Sequence, residues 1–98
     1  MPVKKAMEIK DLQVGDLLVC NTGLSTELNE YKVLKIWSYI VKHNLDESMI
    51  GKRVYMINVR SNESFSEFSQ HRFDWFVKNV YRNVDTLFGE VTQLIMSR

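Results

Sequence analysis

The segment from Arg53 to Arg60 places the strongest constraint on what this chain can fold into. Its apolar residues alternate between two faces, with Tyr55, Ile57 and Val59 on one and Val54 and Met56 on the other. Side chains of a β-strand point alternately to opposite faces, so this pattern predicts a strand. Because the backbone groups of a strand need partners in neighbouring strands, the chain must build a sheet.

Shorter segments supply the other predicted elements. A helical turn is predicted at Ile9–Leu12, a turn at Gly15-Asp16, and a second helical turn from Asp46 that Gly51 ends. Further strands are predicted at residues 17–20, 64–68 and 75–78, with Phe65 facing inward, a turn at 61–64 and a short turn at 70–73. Residues 22–30 are predicted to form a polar loop.

The segment from Tyr31 to His43 fits two structures. As a strand it places Tyr31, Val33, Lys35, Trp37, Tyr39 and Val41 on one face. As a helix it forms an apolar stripe from Val33, Ile36, Trp37, Ile40 and Val41. Its content of Val, Ile, Tyr and Trp favours the strand.

The spacing of the apolar residues changes at the end of the chain. Residues 84–97 carry apolar residues at helical spacing, namely Val84, Leu87, Phe88, Val91, Leu94 and Ile95. This spacing predicts an amphipathic helix with Asp85 or Thr86 as its N-cap. A helix of this length is not stable alone, so we expect its apolar stripe to pack on the sheet, with a partner's groove or a second copy of the chain as the alternative.

Size and cysteine content limit the architecture. The chain has 98 residues, which is the size of one domain, and we expect that domain to span residues 7–98. A single cysteine, Cys20, excludes an intrachain disulfide and suits a reducing compartment. No secretory signal, lipidation signal or membrane span is recognisable, so a cytoplasmic location is expected.

A family resemblance follows from four short motifs. The opening Leu12-x-x-Gly15-Asp16-x-Leu18 resembles that of many SH3-like barrels, and residues 51–57, 65–68 and 71–73 resemble small bacteriophage-encoded proteins of this kind. The resemblance covers residues 9–79. It implies an α+β, mainly β fold, a small partly open SH3-like barrel, followed here by the predicted C-terminal helix. It also implies a binding role, and for a phage protein a location in the host cytoplasm.

Catalytic chemistry finds little support in the sequence. Cys20 and the two histidines, His43 and His71, lack the spacing of a metal site, so no metal and no cofactor is predicted. The four glycines stand singly, which excludes a P-loop or Rossmann nucleotide fold. Cys20 closes an apolar strand and is expected to be an inert buried thiol. We therefore predict that the chain is not an enzyme.

Charge is more informative by segment than in total. The formal net charge is +1, yet residues 31–60 carry six Lys and Arg against two acids, a balance of +4. Arginine and aromatic residues dominate the energetics of protein interfaces. The predicted partner-binding residues combine these types: Arg53, Arg60, Arg72, Trp75, Tyr81 and Arg82.

Three functions remain open at this point. The first is a protein-binding module, for example a phage-encoded inhibitor or modulator of a host protein or defence system. The second is a nucleic-acid-binding small barrel, because cations beside aromatic residues bind phosphates and stack on bases. The third is a homo-oligomer that sequesters a small anionic ligand between subunits, using Arg53, Arg60 or Arg72. No membrane partner is expected.

Overall fold

The computed structural model describes residues 3–21 and 28–98. Within these ranges it has one open antiparallel sheet of six strands in the order β4-β3-β2-β1-β5-β6. The strands are β1 Leu17–Asn21, β2 Leu28–Ile40, β3 Arg53–Arg60, β4 Phe65–Ser69, β5 Val77–Thr86 and β6 Gly89–Ser97. A helix, α1 Gln70–Phe76, connects β4 to β5, and 3-10 turns lie at Ile9–Asp11 and Glu47–Met49. The fold is therefore mainly β, as the sequence predicted.

Several local predictions are confirmed. Strand β3 has the predicted bounds, and the segment after Tyr31 is a strand, not a helix. Asp46 caps the second 3-10 turn by accepting a hydrogen bond from the Ser48 backbone N–H, and Gly51 follows with a φ of +86°. Such local signals depend on few residues, which is why they can be predicted from short stretches of sequence. Of the predicted polar loop, residues 22–27 lie outside the described residues, and 28–30 belong to β2.

The predicted C-terminal helix over 84–97 is wrong. This part of the chain forms the end of β5, a two-residue turn and strand β6, with Thr86 opposite Gly89 and Val84 opposite Val91. Thr86 therefore does not cap a helix but closes the hairpin. The apolar spacing that fits a helix here also fits a hairpin, because Leu87 and Phe88 lie in the turn itself.

Two other predictions near β4 are also wrong. Trp75 and Phe76 belong to α1, together with the segment that was predicted as a turn, and only Val77 and Lys78 start the next strand. Ser69 begins the helix by accepting a hydrogen bond from the Arg72 backbone N–H. Phe65 faces outward with 75% of its surface exposed, whereas Phe68 is the aromatic residue of β4 that is buried.

One bulge decides which residues of β2 face the core. The register with β3 shifts between Val33 and Lys35, so that Val33 lies opposite Val59 and Ile36 opposite Ile57. An extra residue in one strand moves the following side chains to the other face. Tyr31 and Val33 therefore face the core, but Lys35, Trp37 and Tyr39 do not, which corrects the single face predicted for all of them.

The core lies on one face of the sheet. The N-terminal segment and α1 cover this face, contributing Met7, Ile9, Leu12 and Phe73 to a cluster completed by Leu18, Cys20, Val33, Ile57, Val59, Phe68, Val77, Val80 and Met96. The Gln70 side chain joins the two covering segments, because its Oε1 accepts a hydrogen bond from the Ile9 backbone N–H at 2.8 Å. Lys4 forms a parallel bridge with Met96 in β6. We call the opposite face of the sheet the outer face.

Candidate functional site

A row of side chains crosses the outer face of the sheet. The register places Arg60 opposite Phe65 and Lys32, and it places Leu17 opposite Lys32 and Tyr81. Residues paired in this way project from the same face of an antiparallel sheet. With Leu94 opposite Tyr81, the row takes one residue from every strand: Phe65, Arg60, Lys32, Leu17, Tyr81 and Leu94. We call it the cross-strand row.

The basic part of the row lies at the β4 end of the sheet. The Arg60 guanidinium stands 5.5 Å from the centre of the Phe65 ring, a cation–π arrangement. Lys32 is directly opposite Arg60, and like charges in that position repel each other. All three side chains are exposed. This end therefore places two cations beside an accessible aromatic ring, with the Glu30 and Glu63 carboxylates lining the same region.

A groove lies between β2 and β4 next to this basic end. It has a volume of about 840 Å³ and is open to solvent. Leu34, Met56 and Phe65 supply its apolar surface, Arg72 its cation and Glu67 its carboxylate, and Asn58, Val59, Ser66 and Ser69 complete its lining. We call it the β2–β4 groove.

A second groove adjoins the first. Its volume is about 720 Å³, and residues of β2 and of the Ser61–Ser64 turn line it together with Arg60. Leu34 contributes to both grooves. Because Arg60 lines one groove and the Phe65 beneath it lines the other, the stacked pair forms a wall between the two.

Local structure explains why these groove residues are accessible. Leu34 lies at the β2 bulge, so it does not follow the alternation of its neighbours. Phe65 starts a five-residue edge strand that follows the Ser61–Ser64 turn, where the Ser61 N–H donates to the Ser64 carbonyl. Arg72 is in the first turn of α1, and its guanidinium donates a 3.3 Å hydrogen bond to the Glu67 carbonyl.

Arg82 has a different environment from Arg60 and Arg72. Its Nε and Nη2 donate to the two carboxylate oxygens of Asp16, both at 2.9 Å, and Nη2 also donates to the Asp11 carbonyl. Asp16 is 1% exposed and accepts a further hydrogen bond from the Gln13 backbone N–H. The bond to Asp16 raises the pKa of the Arg82 guanidinium above its ordinary value. Arg82 thus ties β5 to the turn before β1, while its predicted contact with a partner stays a prediction.

The remaining predicted partner-binding residues are dispersed. Arg53, at the start of β3, donates to the Ser38 hydroxyl at 2.8 Å. Trp75 is 70% exposed on α1, where the His71 ring meets it edge-on at 5.6 Å between ring centres. Tyr81 is half-buried in the cross-strand row. Of the six predicted residues, the structure therefore brings Arg60 and Arg72 to the grooves.

The groove residues that the sequence analysis missed are Leu34, Met56 and Phe65. Each is apolar and each was assigned to a strand whose apolar residues were expected to serve the core. Exposure of Leu34 depends on a bulge, and that of Phe65 depends on which of two aromatic residues in β4 faces inward. One indication of this exposure is present in the sequence. Phe65 and Phe68 are three residues apart, so a regular strand places them on opposite faces and one of them faces solvent.

Reactive groups are scarce among residues 3–21 and 28–98. No group of three or more His, Cys, Asp or Glu residues there is arranged to hold a metal ion. Burial raises the pKa of the Cys20 thiol to about 12, so the nucleophilic thiolate is almost unpopulated near neutral pH. Within the same ranges, no helix has the length and apolar character needed to cross a membrane.

Comparison with known proteins gave no matching family model, no matching curated protein and no matching solved structure.

Proposed function

We propose that the chain is a non-enzymatic protein-binding module whose β2–β4 groove takes an acidic, apolar segment of another protein. The observation that carries this proposal is the exposed Arg60–Phe65 pair at the wall of an open groove. Arginine and aromatic side chains supply much of the binding energy of protein interfaces when a partner excludes water from them. Phe65 remains 75% exposed in the isolated chain, so that area is available for burial.

The chemistry of the partner follows from the lining. Leu34 and Met56 offer apolar contact, and methionine adapts its shape to different ligands. Arg60, Arg72 and the neighbouring Lys32 favour carboxylates, which arginine can bind through two parallel hydrogen bonds. Arg72 and Glu67 balance each other in the groove lining, so the attraction for an acidic segment with apolar side chains comes from Arg60 at its wall and from the neighbouring Lys32.

Nucleic acid is the second candidate, since the row places two cations beside an exposed aromatic ring. Proteins that bind nucleic acid neutralise many phosphates and show a larger basic excess than the +1 of this chain. The third candidate, a small anion held between subunits, would need a more enclosed site than these two open grooves. Both stay alternatives, and the experiment below separates nucleic-acid binding from protein binding.

The connectivity supports an SH3-like assignment as part of the proposal. Strands β5-β1-β2-β3-β4 run in the order that an SH3-like barrel requires, with the short helix α1 between β4 and β5. In this assignment β6 is an added strand that extends the sheet beyond β5. The resemblance to phage proteins rests on the sequence motifs, and it makes a host protein or defence system the proposed source of the partner.

Pull-down from a bacterial lysate with tagged protein tests the proposal. Three proteins are compared, each with and without nuclease: the wild type, R60Q/R72Q, and the control K42Q/K52Q. The control removes two cations from exposed positions outside the groove lining, so its change in net charge is identical. Circular dichroism checks that all three are folded.

The expected result is a stoichiometric protein that survives nuclease, is lost with R60Q/R72Q and is retained with K42Q/K52Q. Material that disappears on nuclease treatment would make nucleic acid the partner. Equal capture by both variants would remove the groove from the proposal. If nothing is enriched by the wild type, the protein-binding function is contradicted.

A further inference from the structure

The tip of the β5–β6 hairpin presents two apolar side chains to solvent. Thr86 lies opposite Gly89, so Leu87 and Phe88 form the whole turn. Their exposed fractions are 99% and 98%, the highest of any aromatic or aliphatic residue in the described chain except Leu45. Neither side chain contributes to the core, so burial against a partner is the favourable outcome left to them.

The tip is also fixed in shape. The Thr86 hydroxyl donates to the Gly89 carbonyl at 2.6 Å and accepts from the Phe88 backbone N–H at 3.1 Å. Gly89 has a φ of +110°, which a residue without a Cβ adopts without strain. Because the turn is already ordered, less conformational entropy is lost when a partner contacts it.

The charge around the tip has one sign. Asp85 lies directly opposite Glu90, and both are exposed. Two carboxylates in that position repel each other and weaken the hairpin. A cationic partner surface would relieve the repulsion. The tip therefore combines two apolar side chains with two carboxylates.

These properties match the segment that the β2–β4 groove is proposed to bind. The groove offers apolar surface from Leu34, Met56 and Phe65; Arg72 and Glu67 also line it, and Arg60 stands over Phe65 at its wall. The sheet order places β4 at one edge and β6 at the other, with four strands between them. Leu87 and Phe88 are almost fully exposed, so a molecule does not fill its own groove with its own tip.

We propose that the hairpin tip of one copy of the chain docks into the β2–β4 groove of a second copy. This inference rests on the proposed function, because it names one occupant of that groove. The two surfaces differ, so the contact is heterologous: repeated addition produces a ring or an open chain of subunits, unlike a symmetric dimer. The contact area is small, so the association is weak, depends on concentration and weakens as salt screens the charges.

Sedimentation velocity on four proteins over a range of concentrations tests this arrangement. L87S/F88S blocks the tip and leaves the groove intact, whereas R60E/R72E blocks the groove and leaves the tip intact. The control L45S/I50S removes two exposed apolar side chains from the segment between β2 and β3. Circular dichroism establishes that each variant keeps the β-sheet signal of the wild type.

The expected result has three parts. The wild type and the L45S/I50S control gain mass with concentration, while each blocked variant has its association weakened at least tenfold. An equimolar mixture of the two blocked variants forms a 1:1 dimer and nothing larger, because only one tip and one groove remain functional. A mixture that stays monomeric, or a wild type that is monomeric at every concentration, would overturn the inference.

Failure of this inference is distinguishable from failure of the proposed function. A monomeric wild type that still captures a protein, with loss of capture in R60Q/R72Q, would remove the second copy and keep the groove. Wild-type association that L87S/F88S leaves unchanged would assign the contact to another surface and overturn the inference. A wild type that neither captures a protein nor associates with itself would remove the groove as a binding site.

Discussion

The buried ion pair predicts an unequal response to removing its two members. Arg82→Met leaves the Asp16 carboxylate, 1% exposed, with the Gln13 backbone N–H as its described donor. Asp16→Asn leaves the Arg82 guanidinium, which is 22% exposed and still donates to the Asp11 carbonyl. Water reaches the stranded guanidinium but not the stranded carboxylate. Arg82→Met should therefore be the more destabilising change.

The magnitudes follow from the same geometry. Removing one partner from a buried pair costs about 3–5 kcal/mol, and we expect Arg82→Met to lie in this range. Asp16→Asn loses charge-assisted hydrogen bonds but keeps an acceptor for Gln13, so we expect about 1–2 kcal/mol. The double variant buries a neutral amide instead of a lone charge. Its loss of stability should be smaller than that of Arg82→Met alone.

Urea unfolding, followed by the fluorescence of Trp37 and Trp75, measures all four proteins. With a slope of about 1.5 kcal/mol per molar urea, the Arg82→Met midpoint should fall by about 2–3 M, and the Asp16→Asn midpoint by about 1 M. A midpoint for Asp16→Asn that lies below that of Arg82→Met would refute the reasoning. A double variant that is less stable than both single variants would also refute it, because replacing both partners should cost less than leaving the carboxylate alone.

Three further predictions concern the core, the cysteine and the hairpin. Phe73→Ala should cost about 3–5 kcal/mol because Phe73 is fully buried, whereas the matched change Trp75→Ala, at a 70% exposed position, should cost under about 1 kcal/mol in urea unfolding. Equal losses would contradict the placement of α1. Cys20, with a pKa of about 12, should stay unreactive toward a disulfide reagent at pH 8 in the folded chain and react fully in urea; rapid reaction without urea would show that it is exposed. Gly89→Ala should lower Tm by about 4–8 °C, because a Cβ at a φ of +110° costs about 1 kcal/mol, and an unchanged Tm would argue against this turn.

Strands with strong alternation were predictable from the sequence. Segment 53–60 carries alternating apolar residues over its full length, and segment 31–43 is rich in β-branched and aromatic residues that suit a sheet. What alternation could not predict is the bulge at Leu34, because a bulge depends on the partner strand as well as the bulged one. That single residue decides whether Trp37 faces the core or the outer face.

The hairpin at the end of the chain shows a different difficulty. Val84, Leu87 and Val91 have helical spacing, yet in a hairpin Val84 and Val91 face each other across a two-residue turn. The same residues therefore fit both the spacing of a helix and the pairing of a hairpin. Local composition favoured the strand, because Val84, Thr86, Val91 and Ile95 are β-branched and Gly89 weakens a helix by about 1 kcal/mol. The pairing of β5 with β1, in which Tyr81 lies opposite Leu17, holds this part of the chain in a sheet, and no short window contains that contact.

The arginines show a similar limit on predicting function from sequence. Sequence identifies every arginine, but it does not distinguish one that is held inside the fold from one that is available to a partner. Arg82 is fixed by an acid 66 residues away in the chain, whereas Arg60 stands over an exposed ring. Arg53, Arg72 and Arg98 also make contacts with their own chain, to the Ser38 hydroxyl, the Glu67 carbonyl and the Asp74 carboxylate.

These internal contacts reduce the basic surface on which nucleic-acid binding would depend. Affinity for nucleic acid rises with the number of phosphates that a protein neutralises, so each arginine already paired in the fold weakens that alternative. Protein binding depends instead on a few residues that combine charge with apolar area. Arg60 on Phe65, with Arg72 across the groove, has that composition. This composition is the reason for proposing a protein partner with an acidic segment and not a nucleic acid.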